Sequence, residues 1–320
     1  MRKLLLLSIA GFAFILPSKK SIVYDAKFVE KNFKKIPAGS FHMGESDQDM
    51  PYYHQERRGV VTVEGFYIFN QEITNEMYNH FVYETRLKGD TVQYKKVLPD
   101  TLVWRIKGTY NEPYVEYYFR HPAYAHYPVV GVSYDQCLMF CEWMTQKYNA
   151  DPKRKYKKVK FDLPTEEQWT WAARGGKDRS SFPWGGPYMQ NTKGQWLANF
   201  KPIDQSGIIR MKFDQIDIYG KPVKNEYIVA TGYGSGGSFL DNADVTAPVL
   251  SYWPNDFGLY NMSGNVEEMV KEKGISKGGS WRDTGYYLQI ASREEYTDST
   301  KVSSERGFRI IMKVEEEFAK

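Results

Sequence analysis

The chain's only two thiols, Cys137 and Cys141, lie four apart in "SYDQCLMFCEWM". On a helix that spacing puts both on one face, a poor geometry for a disulfide between them. A metal site would need further Cys or His close by. The pair therefore reads as two small buried apolar groups. The five imidazoles, His42, His54, His80, His121 and His126, are scattered. His121 and His126, in "FRHPAYAHY", could share a metal, but Pro122 makes that segment irregular and a structural reading is preferred. No Ser/His/Asp arrangement for nucleophilic catalysis stands out. Oxygen chemistry is better represented. "NMSGNVEE" (261–268) carries side-chain oxygens at both ends, which fits a loop wrapping an ion; an Asx turn leading into a helix N-terminus is the alternative. "SWRDTGYY" sets Trp281, Arg282, Asp283, Tyr286 and Tyr287 together. Aromatics beside charges suit a sugar or peptide cleft, and equally a filled-in one.

These residues need a frame, and 320 residues are enough to bury one. The chain has 25 Tyr, 18 Phe and 8 Trp, which suits loops stitched together by aromatic packing. "IPAGSFHMGES" reads as a hairpin around a Gly turn and 61–74 as a strand. Thr74 is the expected N-cap of a helix carrying Met77, Tyr78, Phe81 and Val82 at helical spacing. "YPVVGVS" reads as a buried strand, with Ser133 capping the cysteine-bearing helix. Thr165 starts a further helix with a capping-box pattern, and Gly175 stops it. Short strands are expected around "ISKGGSWR" and "RGFRIIMKV". Between Leu87 and Tyr127 runs a long Tyr-rich stretch of low periodicity, a length that is more often functional than idle. The whole reads as one α+β domain without repeats.

A formal charge of +4, from 43 basic against 39 acidic residues, gives no field that argues for nucleic acid. The basic runs "KNFKK" (31–35) and "DPKRKYKKVK" (151–160) read as solvated faces. At the N-terminus, Arg2 and Lys3 precede an apolar run from Leu4 to Leu16. That run is short for a bilayer span, which needs about 20 residues, and fits the apolar core of a secretory signal. No lipobox cysteine follows. The expected organisation is a signal segment (1–18), a charged connector (19–35), a domain (36–312) with an insertion (87–127), and a tail (313–320).

Four stretches in order, "IPAGSFHMG", "EITNEMYNHFV", "LPTEEQWTWAARGG…FPWG" and "NDFGLYNMSGNVEEMV…KGGSW…GFR", resemble the formylglycine-generating enzyme (sulfatase-modifying factor) family over about Ile36 to Met312. The resemblance implies a loop-rich α+β domain with a C-type-lectin-like core. It also implies an oxidase that binds copper through a cysteine pair after "GGS". Here Asp283 and Leu288 stand at those positions, so no copper site and no oxidase chemistry are expected. Trp281, Arg282, Asp283 and Tyr286 would line a degenerate cleft. Cys141 matches a helix cysteine that in some relatives pairs with the residue after "GFR", where this chain has Ile310. The family's calcium ligands carry over onto two sets. The first is Asn199, the Phe200 carbonyl, Asp241 and the Ala243 carbonyl. The second is Asn261, the Gly264 and Val266 carbonyls, and Glu268. Arg293 and Arg309 are expected to be structural ion-pair partners.

A narrower resemblance rests on "VLPDTLVW", "YNEPYVEYYFRHPAYAHYPVVGVS", "LANFKP" and "TAPVLSYWPNDFGLYNMSGNV". These are similar to the Bacteroidota gliding-motility and type IX secretion branch (GldK/PorK/GldJ-like), whose members lack the catalytic cysteines. That branch implies a periplasmic scaffold in an outer-membrane secretion or gliding complex, with protein subunits as partners and the Tyr-rich insertion as interface. A lectin-like glycan- or peptide-binding module and an enzyme with an altered site are the alternatives.

Overall fold

The computed structural model describes residues 24–44, 59–106, 109–202, 208–211, 226–229, 243–296 and 301–318. The domain begins earlier than expected. Asp25 caps a helix, α1 (Ala26–Asn32), by accepting a hydrogen bond from the Phe28 amide, and the chain passes directly into β1 (Phe33–Ile36). Tyr24, Ala26, Val29 and Phe33 are buried. The segment expected as a charged connector is thus folded from Tyr24 onward: a few apolar positions face inward while its lysines stay outside.

A hairpin follows, β2 (Gly39–Met43) on β3 (Gly59–Val63), and then β4 (Phe66–Phe69). The stretch 61–74 therefore holds parts of two strands separated at Glu64–Gly65, not one. Thr74 caps α2 (Asn75–Leu87), its Oγ1 accepting from the Met77 amide at 3.2 Å. The region 87–127 has structure of its own: α3 (Thr91–Val97), a 3₁₀ turn at Thr101–Trp104, α4 (Glu112–Tyr117) and a second 3₁₀ turn at Pro122–Tyr124. Its aromatics mostly pack inward. Trp104 and Tyr118 are buried with Val130, Val245 and Val266, and Tyr114, Tyr124, Tyr127 and Trp281 pack around them.

Val129, Val130 and Val132 are buried as expected, but no strand forms there. The Val129 amide donates to Ile73, the Gly131 amide to Ser303, and the Gly131 carbonyl accepts from Asp100, so this segment serves three neighbours instead of one ladder. Ser133 and Gln136 then form a complete capping box on α5 (Tyr134–Ala150). After β5 (Lys158–Asp162), Thr165 and Gln168 do the same for α6 (Glu166–Arg174), which Gly175 ends at φ +61°. The remaining strands are β6 (Ile208–Met211), β7 (Glu226–Val229), β8 (Glu267–Met269), β9 (Ile275–Lys277), β10 (Arg293–Glu295), β11 (Arg306–Phe308) and β12 (Ile311–Glu316). The last runs four residues past the expected domain end, paired with β5, so 313–316 is strand and not tail.

Two four-stranded sheets organise the fold, in the orders β1-β4-β12-β5 and β10-β9-β8-β11. The first is covered on both faces. One face sets Phe33, Phe69, Phe161 and Met312 against α2 and α5 through Tyr78, Phe81, Phe140 and Met144. The other sets Ile36, Phe66, Ile68 and Ile311 against Phe41, Trp169 and Trp171. Each such ring or branched chain stabilises by about 1.5–3 kcal/mol relative to exposure. No helix among the described residues is long and apolar enough to cross a membrane.

Candidate functional site

The loop that follows β9 makes the turn at 280–283. Asp283 closes it, its Oδ2 accepting from the Ser280 amide at 2.8 Å and the Ser280 hydroxyl at 2.7 Å. Leu288 is fully buried in a small cluster with Phe182, Ala198 and Phe200. The two positions of interest are thus a turn-closing carboxylate and a core side chain. The remaining expected cleft residues disperse. Trp281 stacks on Trp104 with ring centroids 6.1 Å apart, and its Nε1 donates to the Ser304 carbonyl. Arg282 turns to Glu305 at 2.6 Å. Tyr286 meets Tyr287 edge-on. Of the four, only Asp283 lines the cavity here, beside Glu267, Ser276, Tyr287, Ser292 and Glu294. Its volume is about 10 Å³, room for about one water. Glu267 is paired with Arg306 at 2.7 Å and accepts from Ser276; burial pushes its carboxyl up to about 8.

Beside this turn lies a buried polar hub that gathers the expected residues Asn199, Asn261 and Gly264 around two that the sequence did not single out, Glu72 and Asn265. Glu72 is fully buried, and burial pushes its carboxyl up to about 8. Asn265 donates to its Oε1 at 2.8 Å and Asn261 to both its oxygens at 3.1 and 3.2 Å. Asn261 and Asn265 hold left-handed backbones, at φ +50° and +69°, which asparagine tolerates better than most residues. Between them Gly264 (φ +80°) is indispensable, because a Cβ there would sit 2.4 Å from the Asn199 carbonyl oxygen. Asn265 Oδ1 accepts from the Ala247 amide, and the Asn265 amide donates to Asn199. One loop thereby joins residues 72, 199, 247 and 265. The only hint in the sequence is a run of Asn and Gly around 261–265, which does not point to Glu72, 193 residues away.

The expected calcium residues divide. In the first set, Asn199 is buried, and its amide nitrogen is committed to the Val245 carbonyl at 2.8 Å and to Asn265 Oδ1 at 3.2 Å. That brings the Ala243–Val245 stretch beside it; Phe200 packs against Leu288. Asp241 lies outside the described residues. In the second set, Asn261 fits a cation: its Oδ1 is buried without a hydrogen-bond partner among the described residues. Gly264 and Val266 follow in the same loop. Glu268 does not fit as a side-chain ligand. Its carboxylate is gripped by Arg309 (Nη2 at 2.7 Å, Nε at 3.0 and 3.1 Å) and by Trp169 Nε1 at 2.7 Å. Arg309 also donates to the Phe69 and Tyr260 carbonyls. The expected ion-pair role of Arg309 is realised here, and Arg293 lies 3.8 Å from Glu166 and pairs with Glu295.

The thiols and imidazoles take structural places. Cys137 and Cys141 are free and buried, with thiols pushed up by burial. Ile310, at the alternative pairing position of Cys141, is buried in the same cluster. His42 bonds Asp178, His80 bonds Glu84, His126 faces Glu76 at 3.7 Å, and His121 caps the second 3₁₀ turn. His54 lies outside the described residues. Among the described residues no group of three or more His, Cys, Asp or Glu is placed to hold a metal ion.

Comparison with known proteins agrees with this architecture. Mouse (Mus musculus) formylglycine-generating enzyme is 28% identical over 317 residues, covering 86% of this chain and 73% of the relative. The bovine (Bos taurus) "Inactive C-alpha-formylglycine-generating enzyme 2" is 25% identical, covering 87% of each. Among solved structures, PvdO from Pseudomonas aeruginosa superposes with a TM-score of 0.54 at 19% identity, over 89% of this chain and 94% of that one. Treponema denticola variable protein 1 gives 0.51 at 19%, over 87% and 94%. Residues 21–314 match the family described as "Sulfatase-modifying factor enzyme 1-like domain". With that match spanning most of the chain, including the α1 and β1 segment, the protein belongs to the sulfatase-modifying factor (FGE-sulfatase) family.

Proposed function

We propose that this chain is a non-catalytic member of its family, an exported scaffold that binds protein subunits of a periplasmic type IX secretion or gliding-motility complex at the outer membrane. The observation that carries the non-catalytic reading is the pair Asp283 and Leu288. One closes its own turn, the other fills a core cluster, and neither supplies a thiolate where the resemblance expects two. That a relative is named inactive makes such a loss familiar within the family. The scaffold reading draws on the inserted segments and on the exported N-terminus. Its contact surface is narrower than the composition of the insertion implies, since Trp104 and Tyr118 are buried while Tyr110 is 99% and Tyr117 47% exposed. Among the described residues, the cavity at the expected cleft measures about 10 Å³, small for a glycan or peptide.

A structural calcium ion belongs to the same proposal. Asn261 Oδ1 and the Gly264 and Val266 carbonyls would hold it, and it would supply charge to a loop that already ties four segments together. The test of function is affinity purification of the tagged chain from its native cells. Recovery of outer-membrane secretion or gliding subunits, lost on replacing Tyr110 and Tyr117 by Ser, is the expected result. Recovery of the chain alone would overturn the scaffold reading.

A further inference from the structure

The two basic runs are 116 residues apart at their nearest, Lys35 and Asp151, and the fold joins them. The Ala26 amide at the start of α1 donates to Asp151 Oδ2 at 2.9 Å, locking α1 to the end of α5. On the same side Tyr67, the register partner of Lys35, bonds Tyr156 through their hydroxyls at 2.7 Å, and Lys155 lies over the Tyr156 ring. Lys27 and Lys31 lie one turn apart on α1, so they project together. Lys35, Lys153 and Lys155 are exposed as well, and the contacts through Asp151, Tyr67 and Tyr156 bring their segments to the side of the domain that carries α1. None of these five has an ion-pair partner among the described residues.

The carboxylates nearby are only partly paired. Asp25 and Asp151 accept backbone amides, and Glu315 and Glu316 are paired with Lys158 and Lys157. Amide hydrogen bonds leave the charges of Asp25 and Asp151 in place, and Glu30 and Glu317 add two more, so five lysines with Arg154 beside them stand against four anions and the balance on this face stays positive.

Its position decides what it fits. Tyr24, at the root of α1, is anchored by Phe28, His80 and Trp143. Only seven residues (17–23), two of them Lys19 and Lys20, separate it from the apolar run Leu4–Leu16. Seven extended residues reach roughly 25 Å. Any bilayer that holds the apolar run therefore holds Tyr24, at the edge of this face, within that distance. Weak attraction of each lysine to anionic headgroups then acts at high effective concentration.

We propose that the face formed by Lys27, Lys31, Lys35, Lys153 and Lys155 docks the domain on an anionic membrane surface. This goes beyond the scaffold reading and does not rest on it. The test is flotation of the purified full-length chain with phosphatidylcholine vesicles, with and without phosphatidylglycerol. The anionic vesicles are expected to bind more chain. The K27Q/K31Q/K155Q variant should lose that preference by about fivefold per lysine at low salt, and added salt should erase it. A control variant, K88Q/K95Q/K96Q, removes three exposed lysines near the other end of α5, about 25 Å away, and should behave as wild type. Equal binding to both vesicles, or equal loss in the two variants, would overturn the proposal. So would displacement by inorganic phosphate at an ionic strength where chloride leaves binding intact, since the face would then take a small anion.

Discussion

The Asn261–Glu268 loop and the Ser280–Leu288 turn flank the same short sheet, yet they hold very different contents. The first is a network of buried polar groups: Glu72 receives two asparagine amides, and Glu268 is held by Arg309 and Trp169. The second is ordinary: Asp283 caps its own turn, Leu288 is core, and the cavity beside Asp283 has room for about one water. What joins distant segments is intact in this chain, while Asp283 and Leu288, where the resemblance implies cysteines, serve local structure. Interactions that bridge 41 to 193 residues determine whether the loops have a shape at all; a turn residue three positions from its partner does not.

The largest effect should come from breaking the Glu268–Arg309 pair. Arg309→Met strands a buried carboxylate and is expected to cost about 3–5 kcal/mol, read as a loss in denaturant midpoint. Adding Glu268→Gln should restore part of it, since the stranded charge disappears. Equal losses in the single and double variants would show that the cost lies elsewhere. Next, Asp283→Ala removes two hydrogen bonds at a half-exposed turn and should cost about 1 kcal/mol or somewhat more. If its cost matched that of Arg309→Met, the contrast between the two regions would fail.

A pH series sharpens the comparison from the Lys277 side, just before the turn. Burial lowers Lys277 from 10.5 to about 8, with Glu166 3.6 Å away opposing the shift. The unfolded chain thus binds more protons than the folded one between about 8 and 10.5, so this group makes stability rise with pH across that window. Lys277→Met should flatten the rise. On the acid side Glu84 is lowered to about 2; burial opposes this, but hydrogen bonds from His80, Lys147 and Trp143 prevail. Its contribution, present above the unfolded carboxylate range, should fade as pH falls toward 2, and Glu84→Gln should remove that fade. The smallest expected signal is the calcium response: Asn261→Gly keeps the left-handed backbone and removes Oδ1, together with the Nδ2 donor to Glu72. Calcium should raise the melting temperature of wild type by a few degrees and leave this variant unmoved. A shift of equal size in both would place the ion elsewhere.

Much of the frame was legible because its signals are local. Thr74, Ser133 and Thr165 each cap a helix within three residues, and Gly175 ends one where a left-handed backbone is needed. The positions of Asp283 and Leu288 were legible from motif register. The α1–β1 segment was not, because its few inward residues are diluted among lysines. The strand expected at 127–133 read correctly as buried, but burial does not reveal that its amides serve three different neighbours. The insertion looked structureless because its order comes from ring contacts such as Trp104 on Trp281 and Tyr118 on Tyr124, which have no period. Glu72 was hidden for a related reason: a glutamate between a turn and a helix cap looks exposed until residues near 261 and 265 are seen to close over it.

The most direct test of the account is turnover. The purified chain, supplied with copper(I) and oxygen, is incubated with a cysteine-containing sulfatase-type peptide, and aldehyde formation is followed by mass spectrometry. No conversion and no stoichiometric copper are expected, because Asp283 and Leu288 offer no thiolate. Conversion above the peptide-only background, lost on Asp283→Ala, would show that the turn carries chemistry after all and would contradict it.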